Sequence, residues 1–147
     1  MARFVTSVAT PLKPAEAFAY MSDVTRFAEW DPGVKRVVRV AGDGTGVGTA
    51  YDLTVQAGGT TVMRYEVQEY DAPRRLLLVA RTAFLTSVDE VRVEPAGSGS
   101  IVTYDATLTL NGLLGLFEPF LRLAFRRIGE RAASGLRRAL NGTVVPR

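Results

Sequence analysis

Cysteine and histidine are both missing from the 147 residues. Their absence removes thiol nucleophiles, disulfides, imidazole bases and Cys/His zinc sites, and with them much familiar enzyme chemistry. The carboxylates are scattered singly across strands and turns, so no metal or other cofactor is expected. Tryptophan occurs once, as Trp30. Long apolar runs are also lacking: nothing approaches the roughly 18 consecutive apolar residues of a membrane-spanning helix. The opening MARFVTSVATPL has neither the charged leader and long apolar core nor the small-residue cleavage site of a secretory signal, and a cytoplasmic location is the expectation.

What is present fits one globular domain over residues 1–147. Hydrophobic residues make up 47% and charged residues 22%, enough apolar material for a substantial core. The formal charge of +3 permits contact with anionic lipid or nucleic acid without requiring it.

Residues 4–9 are rich in β-branched side chains and stop before Pro11, which reads as a strand ended by a residue without an amide hydrogen. Pro14 then opens a short helix with Ala15, Phe18, Ala19 and Met21 on its apolar face. Ser22 and Asp23 end it and cap a second short helix over 24–29, broken by the sequence Trp30-Asp31-Pro32-Gly33. From 34 to 110 the period changes to two, and turn chemistry recurs at 42–44, 58–59, 71–73 and 97–99. Tyr51, Leu53 and Val55 alternate with Asp52, Thr54 and Gln56. Met63, Tyr65 and Val67 alternate with Arg64, Glu66 and Gln68, and Tyr104, Ala106 and Leu108 with Thr103, Asp105 and Thr107. This is the pattern of an antiparallel sheet covered on one side. The cover is a helix predicted over 113–140, where Phe117, Phe120, Leu121, Ala124, Ile128, Ala132, Gly135 and Ala139 follow steps of three and four. The order is strand, two short helices, six more strands and one long helix: an α+β domain with a seven-stranded sheet.

Half of that helical stripe is Ala or Gly, which means either close packing on the sheet or space for a ligand. Tyr51, Tyr65 and Tyr104 share the apolar phase of three strands, and a buried phenol needs a partner. They are ordinary core tyrosines or hydrogen-bond donors to a ligand. Asp89 lies in the phase of Leu85, Ser87, Val91 and Val93, and Arg81 in that of Leu77 and Val79 on the preceding strand. If both point inward, they make a polar pair in an apolar interior; a one-residue slip turns both to solvent. From Leu113 onward seven arginines face only Glu118 and Glu130, whereas the preceding chain carries eleven basic and thirteen acidic residues. A basic helix suggests an anionic membrane surface, yet with its apolar stripe committed to the core a solvated arginine face is the simpler reading, leaving weak membrane-surface contact. No nucleic-acid-binding motif accompanies it. The glycine-rich 42–48 lacks the lysine-serine ending of a phosphate loop and reads as a hairpin.

The segment Pro14-Ala15-Glu16-Ala17-Phe18-Ala19-Tyr20-Met21-Ser22-Asp23, followed by Arg26-Phe27-Ala28-Glu29-Trp30-Asp31-Pro32, resembles the START/Bet v1-like superfamily, in particular its polyketide cyclase/dehydrase-type branch. Asp71-Ala72-Pro73-Arg74-Arg75-Leu76 and Glu94-Pro95-Ala96-Gly97 extend the resemblance over nearly the whole chain. It implies a helix-grip architecture, a curved sheet around the C-terminal helix with an apolar cavity between them. It also implies a small apolar or aromatic ligand: a polyketide, lipid or isoprenoid. Trp30 would then lie near the cavity mouth, as a gate or as a plug tying the short helices to the sheet. The wall would comprise Tyr51, Leu53, Met63, Tyr65, Val79, Arg81, Asp89, Tyr104, Phe117, Phe120, Leu121, Ala124 and Ile128. Binding or carriage of such a molecule is the first reading. A cyclase or dehydratase using Asp89, Arg81 or Tyr104 is the second, and an interaction module working through the arginine face the third. Oligomeric state is not written in the pattern.

Overall fold

The structure is a computed structural model that describes residues 1–44, 46–56 and 59–145. Part of the expected 58–59 turn and the tip of the 42–48 loop lie outside the described residues. The elements run β1 (Ala2–Thr10), α1 (Pro14–Ser22), a 3-10 turn (Val24–Arg26), α2 (Phe27–Trp30), β2 (Val34–Ala41), β3 (Ala50–Gln56), β4 (Thr60–Asp71), β5 (Arg75–Arg81), β6 (Leu85–Ala96) and β7 (Gly99–Leu110). A second 3-10 turn (Gly112–Phe117), α3 (Glu118–Ala139) and β8 (Thr143–Val144) follow. Among the described residues no helix is long and apolar enough to cross a membrane.

One curved antiparallel sheet holds all the strands in the order β2-β3-β4-β5-β6-β7-β1-β8. It has eight strands where the sequence pattern gives seven. The extra strand forms because α3 ends in a left-handed residue, Asn141 at φ 49°, followed by Gly142, whose missing Cβ would sit 2.2 Å from the Ala9 carbonyl oxygen. That close approach returns the chain to the free edge of β1, where Val8 pairs with Val144 and Ala9 with Thr143. A two-residue pairing carries no periodicity to read. The hydroxyl of Thr10 clamps the same corner by donating to the Leu140 carbonyl at 2.6 Å.

The short helices fold over one face of the sheet. Asp23 accepts a hydrogen bond from the Thr25 amide at 3.2 Å and starts the 3-10 turn, so the second expected helix is split between that turn and α2. Trp30 closes α2 instead of standing in a loop. Phe18, Met21, Val24, Phe27 and Trp30 are buried against Val8, Leu76, Leu78, Val91 and Val102. These helices, rather than α3 alone, supply the cover.

The long helix starts at Glu118, five residues later than predicted, because the preceding segment winds as a 3-10 turn. It docks through its C-terminal half on β1 and α2. A Cβ on Gly129 would fall 2.2 Å from the Phe4 ring, and one on Gly135 would fall 1.8 Å from the Trp30 carbonyl oxygen. Ala132, Gly135 and Leu136 are buried there, so the small residues at this end mark close packing. The N-terminal half departs from the expected stripe: Phe117 and Phe120 are 56% and 74% exposed, and Ala124 is exposed. Their face points away from the core because the buried line runs instead through Phe125, Gly129, Ala132 and Leu136.

Candidate functional site

Antiparallel registers carry chemistry-bearing residues to the covered inner face of the sheet. Tyr51 stands opposite Tyr65, Leu53 opposite Met63, Tyr65 opposite Ala80, and Ala80 opposite Ser87. One step along, Asp89 lies between Leu78 and Ala106, and Tyr104 opposite Val91. Alternation places all of these on one side. Every residue of this set is buried.

Two hydrogen bonds organise the patch. The Tyr104 hydroxyl donates to Asp89 Oδ2 at 2.6 Å, and the Tyr65 and Ser87 hydroxyls lie 2.8 Å apart. Asp89 is buried, and this desolvation pushes its carboxyl from the ordinary 3.8 up to about 7. The Tyr104 and Ser87 hydroxyls pull the other way, while the charges of Asp31 and Asp105 add to the rise. Burial likewise pushes the Tyr65 and Tyr104 phenols upward, so both stay protonated donors near neutrality. Asp31 is itself raised by burial, opposed by the Gly33 amide, which donates to its Oδ1 at 2.9 Å.

Trp30 stands edge-on to Tyr104 with ring centroids 5.1 Å apart, and Phe27 leans on Trp30 at 4.9 Å. The Trp30 indole Nε1 is the one buried side-chain polar atom among the described residues without a hydrogen-bond partner. An orphaned buried donor costs about 1–3 kcal/mol, so this position favours an acceptor brought from outside.

Of the expected wall, Trp30, Tyr51, Leu53, Met63, Tyr65, Asp89 and Tyr104 come together. Arg81 and Val79 do not. The inner positions of β5 are Leu76, Leu78 and Ala80; Val79 pairs with Glu66 and Val88 on the outer face, and Arg81 is exposed at the end of that face. Asp89 therefore faces a tyrosine, and the Arg81–Asp89 pair is not formed. On α3, Leu121 and Ile128 are half-buried, whereas Phe120 and Ala124, like Phe117 just before the helix, face solvent. Sequence reasoning missed Ser87 and Asp31 as members of the site. Ser87 was legible in principle, two residues before Asp89 in the same phase, while Asp31 read only as turn chemistry.

A cleft of about 630 Å³ opens beside this patch, lined by Ala19, Asp23, Arg39, Tyr51 and Tyr70 among others. Its volume suits a small organic molecule. Tyr51 belongs both to the cleft and to the inner face, and its phenol is pushed up by burial and by the charge of Asp23, against the pull of Arg39. A second groove, about 450 Å³, runs between β1 and α3 past Phe4, Ser7, Ala133 and Arg137 and includes none of the expected wall residues.

The model of one protein family, described as polyketide cyclase / dehydrase and lipid transport, matches residues 1–141. No curated protein sequence matches the chain. Among solved structures the fold is similar to a START superfamily protein from Mycobacterium smegmatis, with a TM-score of 0.78 at 14% identity over 96% of this chain and 98% of that one. The KanY protein gives a TM-score of 0.68 at 26% identity over 97% and 100% of the two chains. Ginseng major latex-like protein 151 from Panax ginseng gives 0.69 at 11% identity over 99% and 98%. With the helix-grip sheet and short helices similar in fold to a START superfamily protein, and a family match running from the first strand to the end of α3, the chain belongs to the polyketide cyclase / dehydrase and lipid transport family.

Proposed function

We propose that this chain binds one neutral, apolar or aromatic molecule of polyketide-, lipid- or isoprenoid-like character. The family supports hydrophobic-ligand binding in general. The observation that carries the finer reading is the buried Tyr104–Asp89 pair, set in an apolar wall beside the unpartnered Trp30 indole. A ligand carbonyl accepts from the indole or from Tyr65, and a ligand hydroxyl donates to Asp89. The way in is the Tyr51 cleft, from which Tyr51, Tyr65 and Ser87 lead inward in register order. At the inner face a net negative ligand is disfavoured, because it would meet Asp89 and Asp31 there, with Arg81 on the outer face and Arg39 out in the cleft. Native mass spectrometry of the purified protein tests this. A neutral apolar molecule retained at one per chain is the expected result. A chain that carries nothing, and takes up no neutral aromatic or acyl compound on incubation, overturns it.

A second reading, cyclisation or dehydration of the same ligand, is favoured by one observation: Tyr104 orients a buried carboxyl, and burial raises that carboxyl toward the range where an acid exchanges protons at neutral pH. Product formation lost in Asp89→Asn with binding retained supports catalysis; turnover unchanged by that substitution refutes it.

A further inference from the structure

The 3-10 segment Gly112–Phe117 and the N-terminal end of α3 together break the rule that a helix hides its apolar side. Leu113, Leu116, Phe117, Phe120 and Leu123 are 85%, 78%, 56%, 74% and 62% exposed, and Phe84 from the β5–β6 turn is 66% exposed. Two elements build this surface together: the Asn111 amide donates to the Phe84 carbonyl at 2.8 Å, tying the turn to the start of the 3-10 segment. Single exposed apolar residues need no explanation, but six large ones on two adjoining segments mark a contact surface.

The outward face of α3 continues this cluster with charge. Stepping by three and four, it reads Phe120, Leu123, Arg127, Arg131, Ser134 and Arg138, every one exposed. The face opposite the core is thus apolar for the first two turns and cationic thereafter. Nearby acids do not neutralise it. Glu118 is engaged by the N-terminal ammonium and Glu130 by Arg126 at 3.6 Å, while Arg127 and Arg131 have no acidic partner among the described residues. Arg122 adds a further exposed guanidinium beside the patch.

We propose that this surface docks on an anionic lipid bilayer, with the phenylalanines and leucines entering the headgroup boundary and the arginines meeting lipid phosphates. Bulky apolar side chains bordered by exposed arginines are the combination that holds a helix at a charged interface. A second copy of the chain fits less well, since an isologous contact repeats the same face on both sides and that face offers no unengaged acid for the arginines. The proposal stands apart from the ligand reading: it concerns the outer surface and needs no occupant at Asp89.

Flotation of the full chain with vesicles tests it. Vesicles of phosphatidylcholine mixed with phosphatidylserine should carry the protein, and pure phosphatidylcholine should carry much less. Phe120→Glu with Leu123→Glu should abolish flotation at an unchanged melting temperature. Arg127→Gln with Arg131→Gln should weaken binding to the anionic vesicles by roughly thirtyfold, from the interfacial contribution of each arginine. Failure of the parent to float with either vesicle overturns the proposal, as does flotation indifferent to both double variants. A concentration-dependent dimer in sedimentation velocity that Phe120→Glu abolishes, without vesicle binding, assigns the face to a second copy instead.

Discussion

Replacing Asp89 with asparagine removes a buried acid while keeping an oxygen for the Tyr104 hydroxyl, and burial sets the sign of the effect. In the folded chain the carboxyl titrates at about 7, in the unfolded chain near its ordinary 3.8. A tenfold change in proton affinity is worth about 1.4 kcal/mol, so the displacement corresponds to ~4 kcal/mol. Because the folded state holds the proton more tightly, stability is lost as pH rises from about 4 to about 7. Below that window both states are protonated and the cost is absent; above it both are ionised and the full cost remains. Asparagine does not titrate. The variant should therefore be more stable than the parent by up to ~4 kcal/mol at about pH 8, with the gain shrinking towards zero at about pH 4. Asp31 is raised in the same direction, and its charge adds to the rise at Asp89, so relief of that repulsion is part of the gain expected for the variant. Denaturant unfolding followed by the emission of Trp30 across this range measures it. A variant no more stable than the parent at about pH 8, or a difference that does not change with pH, refutes the reading of Asp89 as a desolvated acid.

Tyr104→Phe takes the hydrogen-bond donor away from Asp89 and should cost about 1–3 kcal/mol at neutral pH, with the pH-dependent loss of stability extending to higher pH; the same unfolding series checks both. Gly135→Ala would press a methyl group against the Trp30 carbonyl oxygen, and thermal melts should show a loss of roughly 1–3 kcal/mol or more. Ala124→Trp adds far more bulk to an exposed position on the same helix and should leave stability within about 0.5 kcal/mol of the parent, a contrast that thermal melts of the two variants display directly.

The inner face of the sheet was legible in the sequence because period-two alternation is enforced wherever one face is buried. Tyr51, Tyr65 and Tyr104 landed where their phase put them, and so did Asp89. Phase alone, however, does not say which face of an adjacent strand is inner. Leu77, Val79 and Arg81 look like a core set, but Leu76, Leu78 and Ala80 on the other face of β5 are equally apolar, and pairing with β4 and β6 decided for the latter. The N-terminal half of α3 misled for a related reason. Phe117 and Phe120 carry the periodicity of a buried stripe, and periodicity does not distinguish a face turned to the core from one turned outward. Only the line through Gly129 and Gly135, where the backbone of α3 meets Phe4 and Trp30, sets the helix's rotation, and such contacts come from chain segments more than a hundred residues apart. The buried acid's partner, the orphaned indole and the eighth strand likewise arise from tertiary contacts without a local signature.

The most direct test of ligand binding at the inner face uses the single tryptophan. Titrating Nile red, a neutral apolar dye with one ring carbonyl, into the Phe120→Glu, Leu123→Glu variant keeps the dye from the exposed end of α3. Saturable quenching of Trp30 emission with one dye per chain, weakened in Tyr65→Phe and displaced by the molecule that co-purifies, is the predicted result. Trp30 emission that stays unchanged while the folded protein is saturated with dye would contradict the account.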